Sequence, residues 1–391
     1  MISVHEKSKI MTGDEAAAYG AKLSKVKVVS AYPITPQTVI VEKIADMISN
    51  NEMDAKFIEV ESEHSAMASI MASELTGVRS FTASSSQGIL YMHEMLHWVA
   101  GLRLPALMSV VNRAIGPPWN IWADQSDTIN QRDTGWMQIY CESNQEALDS
   151  IIFGYKIAEN RNVLLPLMNM LDAFTLSHTS EPVTLRDEEI SADYLGDLKL
   201  EFSVNTDRPM GYGSLVAPEG PFMEMKKDMR DSMYGARDVI KNETKKFNET
   251  FNATLPGLVE NFMMEDADYA LITMGAMSST AKYTVRKLRR EGKKVGLIRL
   301  FFYRPFPDEE ILQAVRDLKG VGIVERSVSF GQMGALYEDV ASSLFGRIDV
   351  PAKDYVVGIG GRDIRVEDYE KMFEGLLKEN NGIEWVNTGG R

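Results

Sequence analysis

Three side chains in the first third of the chain have the chemistry to hold a small acid and move a proton. They are Thr35 in AYPITPQT (31–38), Glu63 in ESEHSA (61–66) and Arg113 directly after ALMSVVN (106–112). A guanidinium matches a planar carboxylate or phosphate, and a hydroxyl at a helix start, beside free backbone N–H groups, adds a second anion contact. Glu63 opens an apolar helix, where partial burial makes a carboxyl sensitive to its surroundings. Each residue alone has a plainer use: Thr35 as an N-cap, Glu63 as a first-turn acid complementing the helix dipole, Arg113 as an ion-pair partner of Asp124 or Asp127. The case for chemistry is their convergence. All three fall at the carboxyl ends of predicted strands, where the ligands of open parallel sheets collect.

The elements that must position them read as a parallel α/β layer. Val26, Val28 and Val29 lead a strand into Tyr32, and Pro33 and Pro36 remove two backbone donors and stop it. Thr35, just before Pro36, is expected to cap a helix carrying Val39, Ile40, Val41, Ile44, Met47 and Ile48. Helices are predicted at 14–25, 38–49, 63–76, 87–101 and 145–160, with strands at 26–31, 57–60, 79–83, 106–112, 137–142 and 163–170. Several of these strands are continuous apolar runs, as buried parallel strands should be.

From about 181 the sequence turns polar and irregular, including GYGSLVAPEGP. A long amphipathic helix follows, with Met223, Met225, Met229, Met233, Val239 and Phe247 among many charges, and it is expected to pack across a neighbouring domain or subunit. Near 267 a second α/β pattern of four βα units begins. The expected division is 1–190, a connector at 191–262, and 263–391. The fold class is therefore α/β, with two parallel-sheet domains joined by an irregular and helical insert.

Composition narrows the function. With 391 residues, 44% hydrophobic and 25% charged, the chain is an ordinary globular protein of two or three domains. A formal charge of −14 argues against a nucleic-acid partner. A lone cysteine, Cys141, excludes an intrachain disulfide and any iron–sulfur cluster held by several thiolates of this chain. There is neither a charged-then-apolar leader nor an apolar run of about 18 residues, so the expectation is a cytoplasmic protein without a membrane span. The N-x-T sequons at Asn242, Asn248 and Asn252 then read as helix sequence.

Two motifs invite other answers. His93-Glu94-Met95-Leu96-His97 is a literal HExxH, the pattern of zinc metallopeptidases. A third ligand is missing, since His5, His64 and His178 have no suitable spacing, and the plainer reading is a helix packing Leu90, Met95, Leu96, Trp98 and Val99. GIGGRD at 358–363 half-matches a dinucleotide fingerprint but lacks its last glycine, and Asp363 would repel a pyrophosphate; a tight strand-to-helix turn is expected there. Pro117 and Pro118 stiffen the loop after Arg113, so that Trp119 or Trp122 can wall a pocket.

Taken together, AYPITPQT, ESEHSA, FTASSSQG, NRAIGPPWNIWADQSD, LDAFTLSH, RPFP and VVGIGGRD resemble the α subunit of multi-subunit 2-oxoacid:ferredoxin oxidoreductases, over nearly the whole chain except about 190–262. The resemblance implies a thiamine-diphosphate pyrimidine-type domain followed by a transketolase C-terminal-like domain. It places Pro33, within YPITP, over the cofactor's aminopyrimidine, and Glu63 on the ring nitrogen. It places Thr35 and Arg113 on the substrate's carboxylate and carbonyl. The implied reaction converts a 2-oxoacid, pyruvate by default, to acyl-coenzyme A and carbon dioxide, with electrons to ferredoxin. The chain has no GDG followed by an asparagine pair, so Mg²⁺ with the pyrophosphate grip, and the 4Fe–4S clusters, are expected in partner subunits, in a dimer of hetero-oligomers. The remaining alternative is a non-catalytic scaffold, which would have no chemical reason to keep Thr35, Glu63 and Arg113 together.

Overall fold

A computed structural model describes residues 7–378 and 382–389; His5 lies outside them. The first half runs β1 (Lys7–Thr12), α1 (Gly13–Leu23), β2 (Val28–Ala31), α2 (Thr38–Ser49), β3 (Lys56–Glu59), α3 (Glu63–Leu75), β4 (Ser80–Ser84), α4 (Ser86–Tyr91), α5 (His93–Gly101), β5 (Leu107–Asn112), α6 (Ser126–Ile129), β6 (Met137–Tyr140), α7 (Asn144–Ala158), β7 (Leu167–Asp172), β8 (Ser180–Leu185) and α8 (Glu188–Leu195). It continues with α9 (Phe222–Phe251), β9 (Val259–Phe262), β10 (Tyr269–Met274), α10 (Met277–Arg290), β11 (Val295–Leu300), β12 (Phe302–Arg304), α11 (Asp308–Val315), β13 (Gly320–Glu325), α12 (Ala335–Leu344), β14 (Ala352–Val356), a 3₁₀ turn (Ile359–Gly361), α13 (Val366–Lys378) and β15 (Ile383–Trp385).

Two sheets organise the chain. The first has strand order β12-β6-β7-β5-β4-β2-β3, parallel except for β12, which runs antiparallel to β6. The second has order β15-β14-β13-β10-β11-β9, parallel except for β9. Strands β4, β5, β7, β11 and β13 are buried along their whole length, because helices cover both faces of the sheets.

Several expectations need correction. Helix α2 begins at Thr38 with Gln37 as N-cap and no side-chain cap, so Thr35 is not its cap. The reason is a turn inserted before the helix: Gln37 N donates to Ile34 O (2.9 Å), and the buried Gln37 amide donates to Ala83 O (2.6 Å), with Thr35 and Pro36 at the turn's centre. The helix expected at 87–101 breaks at Met92 into α4 and α5. The strand expected at 163–170 starts only at Leu167, because Val163 and Leu164 close back on Asn160 O. The β1–β8 antiparallel pair was not anticipated from local sequence. Nor was β12, through which the chain's second half adds an edge strand to the first sheet.

Helix α9 is 30 residues long and two-faced along its length. Its C-terminal half buries Ala236, Ile240, Phe247 and Phe251, with Phe247 edge-on to Phe153 of α7 at 5.7 Å. Lys241 pairs with Glu310 (2.6 Å) and Arg237 with Asp308, both on α11, so the helix spans the two sheet units within this chain. Its N-terminal end leaves Phe222, Met223 and Met225 exposed. Asn242 and Asn248 lie in α9, and Asn252 is its left-handed C-cap residue.

Glu325, the last residue of β13, is fully buried against the start of α12. Its carboxylate accepts from Tyr337 N (2.7 Å) and Ser327 Oγ (3.2 Å), while Asp354 of β14 accepts from Gly334 N (2.8 Å). A side chain at Gly334 would overlap the Glu325 carboxylate. Burial, reinforced by Asp354, pushes Glu325 up to about 8, and burial pushes Asp354 up to about 6. Both values are raised, so the folded state binds protons that the unfolded chain has already released above about pH 4.5. The pair's contribution to stability is fully present below that point and is lost as pH rises through 6 to 8. Glu325→Gln, neutral throughout, should flatten the decline of Tm across that window in thermal melts; a decline as steep as that of the parent would refute the assignment.

Candidate functional site

The site forms where β2, β4 and β5 end. A cavity of about 790 Å³ is lined by Pro33, Ile34 and Thr35 after β2, by Gln87 in the first turn of α4, and by Arg113 with Gly116, Pro117, Trp119, Asn120 and Ile121 after β5. Arg113 is its one guanidinium. Nη1 donates to Thr35 O (2.7 Å), Nε to Asn120 O (3.3 Å) and Nη2 to Gln87 Oε1 (3.5 Å), and the group lies 5.8 Å from the ring centroid of Trp119. The side chain is buried, and desolvation lowers its pKa, but an arginine stays charged. No carboxylate among the described residues reaches ion-pair distance of it. A buried cation that is solvated by three neutral oxygens and faces a cavity has the chemistry to take an anionic partner.

The ion pair of Arg113 with Asp124 or Asp127 expected as its plain use is absent. Asp127 instead takes backbone and amide donors: Ser86 N and Arg113 N at 3.0 Å each, and Asn112 Nδ2 at 2.7 Å. Asp124 accepts from Ser126 N (2.8 Å). Asp127 is fully buried, and that burial raises it to about 7 against the donors that favour the anion. Its role is to fix the two strand ends, and sequence reasoning missed it. The available signal was an aspartate in a loop rich in Asn, Asp and Gln following a buried strand.

Glu63 stands apart from the cavity lining. It is the first residue of α3, with Ser62 as N-cap accepting from Ser65 N (3.2 Å). The carboxylate is buried against α4 and has no hydrogen-bond partner among the described residues. Gly88 makes the approach possible: a Cβ there would sit 2.7 Å from Glu63 Oε1 and 2.5 Å from Ser84 Oγ. The Ser84 hydroxyl is itself buried without a partner. The structure thus joins Thr35 and Arg113 directly and sets Glu63 on the far side of the first turn of α4, whose Gln87 faces the cavity and whose Gly88 faces Glu63.

The histidine motif does not assemble. His93 Nδ1 contacts Gln131 Oε1 (2.5 Å), Glu94 contacts His64 (3.4 Å), and the two histidine rings stand edge to face at 5.0 Å. Among the described residues no group of three or more His, Cys, Asp or Glu is placed to hold a metal ion, and no helix is long and apolar enough to cross a membrane. GIGGRD forms the expected tight turn, the 3₁₀ segment between β14 and α13.

Asp127→Asn tests the pinning of the strand ends. One carboxylate oxygen takes Ser86 N and Arg113 N and the other takes Asn112 Nδ2 and Thr128 N, so an amide, with one acceptor oxygen, must turn its NH₂ group toward one of these two pairs of buried donors. The cost is about 1–3 kcal/mol, read as a lower Tm; an unchanged melting midpoint would remove Asp127 from this role.

Comparison with known proteins fits this geometry. Residues 19–245 match the family model described as pyruvate flavodoxin/ferredoxin oxidoreductase, thiamine diphosphate-binding, and residues 267–369 match pyruvate:ferredoxin oxidoreductase core domain II. Pyruvate synthase subunit PorA of Methanocaldococcus jannaschii is 44% identical over 97% of this chain and 97% of its own. Ketoisovalerate oxidoreductase subunit VorA of Pyrococcus horikoshii is also 44% identical, over 96% of this chain and 97% of its own. Among solved structures, a 2-oxoglutarate:ferredoxin oxidoreductase from Magnetococcus marinus superposes with a TM-score of 0.76 at 18% identity, over 95% of this chain; this chain spans 66% of that one. A split-gene transketolase superposes with a TM-score of 0.56 at 12% identity, over 94% of this chain and 99% of that one. Two family models in order, and near-full-length relatives that are themselves named as subunits, establish that the chain belongs to the α subunits of the 2-oxoacid:ferredoxin oxidoreductases.

Proposed function

We propose that this chain supplies one wall of a thiamine-diphosphate site, in which Arg113 and Thr35 hold the carboxylate and carbonyl of a 2-oxoacid and Glu63 meets the aminopyrimidine ring nitrogen, with Pro33 covering the ring. The observation that carries the reading is the Arg113 guanidinium facing the cavity with no carboxylate of the described residues at ion-pair distance. The residues present fit the cofactor: the Ser84 hydroxyl is buried without a partner, and Glu63, a buried residue, packs beside it against Gly88, where a side chain would overlap both. When bound, thiamine diphosphate supplies the electron sink for decarboxylation.

The chain's own residues do the rest of this half. Arg113 neutralises and orients the substrate carboxylate through its planar fork. Thr35, exposed at the cavity wall, offers its hydroxyl to the 2-oxo oxygen. Glu63 holds a proton at the ring nitrogen and so favours one tautomer of the cofactor. Trp119, Ile121 and the Gly116-Pro117 turn screen the reacting carbon from water.

The other half belongs to partner subunits: the pyrophosphate with its Mg²⁺, the 4Fe–4S clusters, and the routes for coenzyme A and ferredoxin, assembled as a dimer of hetero-oligomers in the cytoplasm. The lone thiol supports this division, for Cys141 is buried and burial pushes its pKa well up, far from a cluster ligand. We divide the chain at 1–190, 191–262 and 263–391, with the connector lending its last strand, β9, to the second sheet and β12 crossing back to the first. Relatives of equal identity are named for pyruvate and for ketoisovalerate, so overall likeness does not choose between them. We take pyruvate as the preferred acid.

Two substitutions in the assembled complex test the roles, each assayed on pyruvate and branched-chain 2-oxoacids with a low-potential acceptor. Glu63→Gln should lower kcat by about 100-fold or more while the subunits still associate; near-normal turnover would sink the proposed role. Arg113→Ala should raise KM for the oxoacid by roughly 10- to 100-fold, the loss of a charged hydrogen-bond partner, with thiamine diphosphate still bound. Unchanged kinetics would refute a carboxylate contact.

A further inference from the structure

The turn Ile359–Gly361 of the second sheet unit touches the loop that walls the cavity. Gly361 N donates to Ala123 O (2.8 Å), and Gly360 O accepts the Asn120 side-chain amide (2.9 Å). Both glycines have positive φ, 64° and 80°. A Cβ on Gly360 would lie 2.6 Å from Asn120 Nδ2, and one on Gly361 would overlap Trp122. The backbone conformation and the closeness of the approach thus both demand glycine. The turn is itself anchored to the first unit, because Arg326 Nε donates to Gly358 O (3.0 Å) and its Nη1 lies 3.4 Å from Asp172, the last residue of β7.

Asn120 passes this anchoring onward. Its Oδ1 accepts from Trp122 N (2.8 Å), closing the loop locally, and its backbone carbonyl accepts from Arg113 Nε (3.3 Å). A guanidinium fork is aimed only when more than one of its N–H groups is fixed. Here the fixing oxygens are Thr35 O on Nη1 and Asn120 O on Nε; the Gln87 contact is longer, at 3.5 Å. We propose that Asn120, seated on the Gly360-Gly361 turn, is a positioning residue for Arg113, so that a turn of the second sheet unit sets how firmly the 2-oxoacid carboxylate is held. The inference rests on Arg113 binding that carboxylate. It carries a particular signature. The carboxylate is common to all 2-oxoacids, so loss of the support weakens every one of them by about the same factor and leaves the chemical step nearly untouched.

The test uses the assembled complex carrying Asn120→Leu, which keeps the volume and removes the amide, and separately Gly361→Ala, with Arg113→Ala as reference. KM and kcat are measured for pyruvate and a branched-chain 2-oxoacid. Affinity for oxamate, a pyruvate mimic that is not decarboxylated, is measured by titration calorimetry. Expected are rises of about tenfold in KM for both acids and in the oxamate Kd, about 1.4 kcal/mol, with kcat changed less than about twofold. If both variants leave KM and Kd unchanged while Arg113→Ala raises them, the positioning inference falls and the carboxylate site stands. A KM rise confined to one acid also overturns it, since the loop then acts as a side-chain pocket and not through Arg113. If Arg113→Ala itself has no effect, the carboxylate reading fails and takes the inference with it. Should Gly361→Ala not assemble, Asn120→Leu decides alone, because it asks for no change of backbone.

Discussion

The geometry of this site depends on one buried carboxylate. Where a buried parallel strand stops, the next peptide N–H groups lose their ladder partners and must find others. Past β4 and β5 that need falls on Ser86 and Arg113, and Asp127 serves both at 3.0 Å. Ser86, at φ 46°, turns the chain sharply into α4, and its hydroxyl donates to Ala114 O (2.6 Å), so the two strand ends are also tied to each other. One side chain thereby fixes Gln87 and Gly88 on one strand exit and Arg113 on the next. Asp127 is held in its turn: it sits on α6, whose Thr128 hydroxyl contacts Asn112 Nδ2 (2.7 Å) and Tyr140 OH (2.8 Å). The functional groups are separated by tens of residues in sequence, yet none depends on a long flexible loop for its position.

A second set of contacts keeps the two sheet units from drifting, and the site needs this too. Arg299 of β11, almost fully buried, forms a two-pronged contact with Glu146 (2.7 and 2.9 Å) and reaches Glu260 (2.9 Å) and Glu142 (3.2 Å); Lys282 joins Glu142 (2.5 Å) and Glu260 (2.8 Å). Each of the three carboxylates touches at least one of the two cations, and the one negative charge in excess is eased by the partial exposure of Glu260, so the buried Arg299 is fully paired. Asp172 makes a further junction, accepting from Gln125 Nε2 (3.2 Å) and Ala276 N (3.1 Å). With β12 seated in the first sheet, these contacts place the 358–361 turn against the 120–123 loop reproducibly enough for two glycines to be specified there.

What could be read from the sequence was whatever is encoded locally. Runs such as ALMSVVN announce buried strands, and the alternation of such runs with amphipathic stretches announces parallel sheets, so Arg113 and Glu63 fall at strand ends as expected. What could not be read depends on partners distant in the chain. The β1–β8 pair joins residues more than 160 positions apart and has no local signature beyond moderate strand propensity. β12 is three residues long and exists because β6 offers an edge. Thr35 has the right type and the right following proline for an N-cap, but the burial of Gln37 against Ala83 O shifts the helix start to Thr38. Residue type likewise suggested an ion pair for Arg113, and tertiary packing turned the nearby aspartate to backbone donors instead.

That last outcome matters most for function. Had Arg113 and Glu63 met, they would have formed a buried ion pair, satisfied each other and left nothing for a ligand. α4 prevents it by placing neutral Gln87 toward the guanidinium and Gly88, with no side chain, toward the carboxylate. The chain carries 56 acidic residues, yet the acceptors around Arg113 are two backbone carbonyls and an amide. These solvate the cation without neutralising it. At an effective dielectric of about 20, a carboxylate about 4 Å from a guanidinium gains roughly 4 kcal/mol before desolvation costs and before the share that Asp127 offsets here. The separation of the two groups therefore leaves a guanidinium facing the cavity on one side of α4 and a carboxyl group without an ion-pair partner on the other, as the proposed reading requires.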